Sequence, residues 1–296
     1  MSNIRNLLRS SGRCSLIQSN KFHTSQSLNT FWVSDEKGGY KGRTEKLPPL
    51  NKRISEGFKE LKNEFRLFKQ EVIDEIHGTN MPLIIRRDEI DVSFKFGDEQ
   101  SIDKWVTSSD SDHNEGFSKC ELSLTKEGKG LFSGNLCKTV PKDGKIARAG
   151  YCNMATKTFR KSFKRETRFD WSMYNILNMR VRGDGRAYFV NIGTKGYFDL
   201  MWNDMYHYIM FTRGGPYWEN VRIPFSKFIF SSRGRIQDRQ CPINLQNISS
   251  FSITLADKVD GKFNLEIDYI GLENDPNHRE RFAYEMYETD NNIAAN

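Results

Sequence analysis

Four groupings in this 296-residue sequence have residue types and spacings that bear on chemistry. Asp110 and Asp112 put two carboxylates into one short polar stretch, hard oxygen donors of the kind a cation or a hydroxyl-bearing ligand takes. Acids that merely form a loop or cap a helix have the same look, and they are the commoner explanation. Gly183-Asp184-Gly185 has two glycines of a dinucleotide-binding fingerprint, but the third glycine and the acidic acceptor downstream are missing. It reads instead as a hairpin turn that needs positive φ. Lys157, Arg160, Lys161, Lys164, Arg165 and Arg168 interleave with Phe159 and Phe163, the composition that grips single-stranded nucleic acid, an acidic protein or anionic headgroups. Arg213, followed by Gly214-Gly215-Pro216 and then Tyr217 and Trp218, sets two large aromatics beside a tight turn; exposed, they would form an interface anchor.

Catalytic patterns are not found beside these. His77, His113, His207 and His278 stand in no Gly-x-Ser-x-Gly, His-Glu-x-x-His or Cys-His arrangement. Cys120, Cys137, Cys152 and Cys241 make no CxxC pair and have no histidine at ligand spacing, so they read as small buried thiols in a reducing compartment. The expectation is a protein that is not an enzyme, with no catalytic residue, metal or cofactor.

The elements that must carry these groups follow from charge and periodicity. The net charge is +7, from 45 bases and 38 acids, but residues 1–34 hold four bases and no acid. The remainder, with 41 bases and 38 acids, is nearly neutral, which argues against a nucleic-acid-binding body. The Ser-rich leader spreads Arg5, Arg9 and Arg13 among Leu7, Leu8, Leu16 and Ile17 and lacks a secretory apolar core, so residues 1–33 are expected to be a mitochondrial presequence. No stretch is long and apolar enough for a membrane span.

Residues 34–50, rich in Gly, Lys and Pro, read as a linker. Ile54, Phe58, Leu61, Phe65, Phe68, Val72 and Ile76 then recur at steps of three and four, predicting an amphipathic helix over 51–78 that ends at Gly78. Its stripe either packs on its own domain or docks in a partner's groove. After a second linker at 79–90 the period becomes two: Leu177, Met179 and Val181, then Phe251, Ile253 and Leu255, then Phe263, Leu265, Ile267 and Tyr269 alternate with polar residues. With further candidates at 92–96, 118–124, 130–136, 150–154, 187–192, 207–212 and 220–223, about ten strands predict an all-β antiparallel sandwich over 91–274. Residues 275–296 read as a tail with a short helix at 281–288.

Several strings go beyond patterning. Asp170-Trp-Ser172, the run Leu177-Asn-Met-Arg-Val-Arg-Gly-Asp-Gly-Arg186, Met210 to Trp218, Val221 to Lys227, Arg233-Gly-Arg235, Leu255 to Gly261 and Leu265 to Gly271 resemble, in order, the complex I intermediate-associated protein 30 family. The resemblance covers roughly residues 91–285. It implies a galactose-binding-like jelly-roll sandwich and a non-catalytic, chaperone-like role in the mitochondrial matrix, peripheral to the inner membrane. There the family member joins other assembly factors, including an acyl-CoA dehydrogenase paralogue and the ECSIT adaptor, on membrane-arm subunits of respiratory complex I. One departure stands out: Phe117 occupies the position of the second glycine in the family's Asp-rich turn, which counts against an ancestral sugar pocket there.

The expectation is therefore a scaffold that binds assembly partners, with a carbohydrate-binding module on the same fold as the alternative. The candidate contact residues are Phe58, Phe65 and Phe68 on the helix, Arg160, Lys161 and Lys164 in the basic stretch, and Arg213, Tyr217 and Trp218 at the aromatic turn.

Overall fold

The computed structural model describes residues 49–76, 89–142, 144, 146, 148–194, 204–232 and 234–287. The expected presequence lies outside the described residues, as do nearly all of both expected linkers.

Alternation of apolar and polar side chains makes the strands, and burying the apolar half forces two sheets face to face. One sheet runs β11 (Glu219–Pro224), β8 (Ile176–Arg182), β15 (Gly261–Glu273), β4 (Gly130–Leu136), β3 (Lys119–Leu124), with β1 (Asp91–Lys95) also paired to β15. The other runs β13 (Arg235–Ile236), β12 (Ile229–Ser232), β10 (Asp204–Phe211), β9 (Ala187–Thr194), β14 (Ile248–Leu255), β5 (Cys152–Thr156), β2 (Trp105–Ser109). All these pairings are antiparallel. Leu177, Met179, Val181, Phe263, Leu265 and Ile267 from the first sheet meet Met154, Val190, Ile192, Phe251, Ile253 and Leu255 from the second, all fully or almost fully buried. At about 1.5–3 kcal/mol per buried apolar side chain, this layer is what holds the sandwich together. Aromatic rings close one end, with Phe94 5.2 Å from Trp105 and Trp171 5.9 Å from Phe225.

The connections differ from the expectation at Gly183-Asp184-Gly185. Gly185 does have positive φ, at 90°, but β8 and β9 belong to different sheets, so the turn is a corner and not a hairpin. The links β10 to β11 and β14 to β15 likewise cross between sheets, which is the jelly-roll pattern. Corner clamps secure these crossings. Arg186 holds Asp257 through two hydrogen bonds of 2.8 and 2.7 Å, and Asp184 accepts from the Asn264 N–H (2.9 Å) and the Tyr188 hydroxyl (3.1 Å). Burial works against the Asp257 carboxylate, yet the guanidinium wins and keeps its pKa below the usual range.

Strands β2 and β12 were not among the predicted ones. Thr107-Ser108-Ser109 and Ser231-Ser232 give them too little apolar alternation to stand out, and it is pairing to β5 and β10 that makes them strands. The short helix predicted at 281–288 is a single 3-10 turn, Glu285–Tyr287, among the described residues.

The amphipathic helix, α1, spans Leu50–Ile76, 27 residues or about 40 Å. Its first turn has no acid and its last turn no base, so the helix dipole does nothing for it. Helical propensity, ion pairs such as Lys52 to Glu56 (3.9 Å) and docking must sustain it.

Candidate binding surfaces

The basic stretch makes a tight hairpin, β6 (Arg160–Lys161) and β7 (Arg165–Glu166), whose turn grips α1. Glu71 accepts the Ser162 N–H (2.6 Å) and hydroxyl (3.0 Å) and pairs with the Arg165 guanidinium. Two turns earlier on the same edge, Glu64 accepts the Phe163 N–H at 2.6 Å. The Ser162 N–H is the largest influence holding the Glu71 carboxylate below its ordinary pKa, and Arg165 adds to it. Phe163 sits in the left-handed region, at φ 56°, and its ring lies 5.3 Å from Phe65 and 5.8 Å from Phe68. Arg165 reaches over Phe68 at 5.8 Å. Predicted contact residues Phe65 and Phe68 are thus brought together with the hairpin carrying Arg160 and Lys161, but partly for the chain's own use.

The docking is incomplete. Phe58 lies beyond the hairpin and is 68% exposed, while Phe65 and Phe68 remain substantially exposed beside Phe163. Arg160 and Lys161 present exposed side chains on β6, and Lys164 closes the turn. The docking acids Glu64 and Glu71 were not among the predicted residues. Their seven-residue spacing along one helix edge, opposite a run of six bases, was the available signal.

Arg213, Tyr217 and Trp218 occupy the corner between β10 and β11. Gly214 bridges to Gly183 of the neighbouring corner, and a side chain at Gly183 would meet Thr212 at 2.3 Å, which explains the glycine. Trp218 packs against its own sheet. It is half-buried, with the Arg182 guanidinium 5.0 Å and that of Arg180 5.5 Å from its ring, and these arginines are tied to Glu266 (2.5 Å) and Asp268 (2.9 Å) on the outer face of the first sheet. Tyr217, 85% exposed, is the projecting member, with exposed Arg213 and Phe211 nearby in sequence.

The Asp-rich turn is a latch. Fully buried Asp110 accepts the Ser118 N–H (2.7 Å) and hydroxyl (3.1 Å) and the Gly150 N–H (2.8 Å). Asp112 accepts the Ser109 N–H (2.8 Å) and hydroxyl (2.9 Å). With Asp110 committed inward and exposed Asp112 capping Ser109, these two acids follow the loop-forming reading, and among the described residues no cluster of three or more His, Cys, Asp or Glu could hold a metal ion. On the outer face of the second sheet, His207 Nδ1 lies 2.6 Å from Asn191 Oδ1, and Asn191 continues to Thr254 (2.8 Å). Burial pushes the His207 pKa down, disfavouring the charged imidazolium in this network.

Comparison with known proteins places these surfaces in context. Residues 94–267 match the family model "Complex I intermediate-associated protein 30". The chain is 49% identical over 288 residues to "Complex I intermediate-associated protein 30, mitochondrial" of Drosophila melanogaster, covering 96% of each chain. It is 45% identical over 224 residues to the Mus musculus protein of the same name, covering 75% of this chain and 68% of that one. Among solved structures it is similar to the family 11 carbohydrate-binding module of the Clostridium thermocellum cellulase Lic26A-Cel5E, with a TM-score of 0.45 and 18% identity over 64% of this chain and 98% of that one.

Proposed function

The chain belongs to the complex I intermediate-associated protein 30 family, and from that premise we propose that it is an assembly factor for mitochondrial complex I. In this reading it acts in the matrix against the inner membrane as a non-catalytic, chaperone-like scaffold. It binds membrane-arm intermediates together with other assembly factors, including an acyl-CoA dehydrogenase paralogue and the ECSIT adaptor. The observation that carries the reading is the 49% identity spanning 96% of both this chain and a relative whose name states mitochondrial association with complex I intermediates.

The physical character of the surfaces supports a binding role. Asp110, Asp112, Asp257, Asp268 and Glu273, the acids best placed for chemistry, each satisfy a neighbouring N–H, hydroxyl or cation. What the molecule offers outward is apolar and aromatic: Phe58 and its neighbours on α1, and Tyr217 at the glycine corner. A half-built membrane arm exposes surfaces that later subunits will cover. A scaffold that occupies them shifts the equilibrium away from unfolding and aggregation by mass action.

Native electrophoresis with complexome mass spectrometry, on mitochondria with and without the protein, tests this. The expected result is migration in large assemblies, with stalled complex I fragments when the protein is absent. Migration alone, with complex I maturing normally, would overturn the reading.

A further inference from the structure

We infer that the outer half of α1 and the 160–166 hairpin together form a single face that lies on an anionic lipid bilayer. The inference rests on the reading that the protein works beside a membrane, and it names the surface that meets the lipid.

The first observation is apolar. Ile54, Phe58 and Leu61 are 52%, 68% and 45% exposed, and they continue the row whose next members, Phe65 and Phe68, meet the hairpin. Phe163 at the hairpin tip, itself 42% exposed, extends the same row. The result is a line of large apolar groups on a 27-residue helix, the form of an element that lies in the plane of an interface.

The second observation is charge, and it is asymmetric. With 3.6 residues per turn, Glu60, Glu64 and Glu71 fall on one edge of the apolar row, whereas Lys52, Lys59, Lys62, Arg66 and Lys69 fall on the other. The hairpin covers the acidic edge through Glu64 and Glu71, leaving the cationic edge on the outside. Residues 50–69 carry six bases against three acids, and residues 157–168 six against one. Everything else beyond residue 34 holds 29 bases against 34 acids. The positive charge of the body is thus concentrated where the apolar row is exposed, and the remainder is net negative. A second copy of the chain would bring like charge to this face. A surface that takes apolar insertion and is uniformly negative matches it, and an anionic bilayer has both properties.

Vesicle flotation of the full chain tests this, in a background where Arg5→Gln, Arg9→Gln, Arg13→Gln and Lys21→Gln remove the leader's own attraction. The probes are vesicles of phosphatidylcholine alone and of phosphatidylcholine with about a quarter phosphatidylglycerol. The expected result is partition onto the anionic vesicles only, weakened by salt. Partition should fall at least about tenfold in an Ile54→Ser/Phe58→Ser/Leu61→Ser variant and in a Lys59→Glu/Lys62→Glu/Arg66→Glu variant, with unchanged thermal midpoints because all six side chains are exposed. Equal partition onto both vesicle types, or variants that float like their parent, would overturn the inference. If the chain leaves all vesicles unbound while Phe58→Ser still removes it from its large mitochondrial assemblies, the face belongs to a protein groove with an acidic rim and the lipid assignment fails, although the assembly role stands. If vesicle binding holds while the chain joins no complex I intermediate, it is the assembly role that fails.

Discussion

At the scale of single residues, buried carboxylates are committed to structural work. Asp110 satisfies the backbone N–H groups of Ser118 and Gly150, and Gly116 leaves room for it, since an added Cβ would sit 2.1 Å from Asp110 Oδ2. Asp110→Ala should cost about 3 kcal/mol, because the Ser118 and Gly150 N–H groups stay buried without acceptors. Urea denaturation of the full chain reads this as a lower midpoint at unchanged slope. Calcium, or a chelator, should leave the thermal midpoint of the unaltered chain where it is; a rise with calcium would restore the cation site this turn resembles.

At the scale of elements, the informative piece is the half-docked helix. Glu71 is held below its ordinary carboxylate pKa when docked, so its contribution to docking is fully present above the undocked value near 4.5 and is lost as pH falls through the lower, docked value. Hydrogen exchange should show protection of residues 64–72 at neutral pH that disappears on acidification. Glu71→Gln should give low protection that no longer depends on pH in that window. Gly57 provides an independent handle: an added Cβ meets nothing within 4 Å, so Gly57→Ala should slow exchange along α1 by an amount equivalent to about 1 kcal/mol without touching the hairpin. If Gly57→Ala leaves exchange unchanged, helical propensity is not what limits the outer half of α1.

At the scale of the whole molecule, three sheet-to-sheet corners are tied together, and Arg186 with Asp257 is the central tie. Both side chains are nearly buried, at 11% and 13% exposure, so Asp257→Ala leaves the guanidinium on the Val259, Gly261 and Lys262 carbonyls without its carboxylate partner. The expected cost is about 3 kcal/mol, a fall of roughly 5–10 °C in thermal midpoint by calorimetry. A shift within a degree would mean that water reaches the corner and replaces the carboxylate. In mitochondria the same variant should lower the amount of protein before it alters the size of the assemblies the protein joins, since the corner holds the fold and not the apolar face.

Much of this was legible in one dimension. The period-two runs 177–181, 251–255 and 263–269 predicted the buried strands, the three-and-four spacing from Ile54 to Ile76 predicted α1, and the strings from Asp170 to Gly271 carried the family resemblance. These signals are local, and local periodicity is what a strand or helix imposes on its own residues. Pairings between distant segments left no such trace. The glycine turn at 183–185 looked like a hairpin because a turn's φ requirement is visible in sequence, but which sheet the next strand joins is not. The basic stretch looked like a grip for an outside ligand, and only the fold brought Glu64 and Glu71 to it, across about 90 residues of chain. Trp218 looked like an anchor, and only the register of β11 on β8 set it against Arg180 and Arg182. Composition determined that the chain had a core to bury and surplus positive charge; tertiary structure decided which of its aromatic and basic residues were spent inside the molecule and which were left facing out.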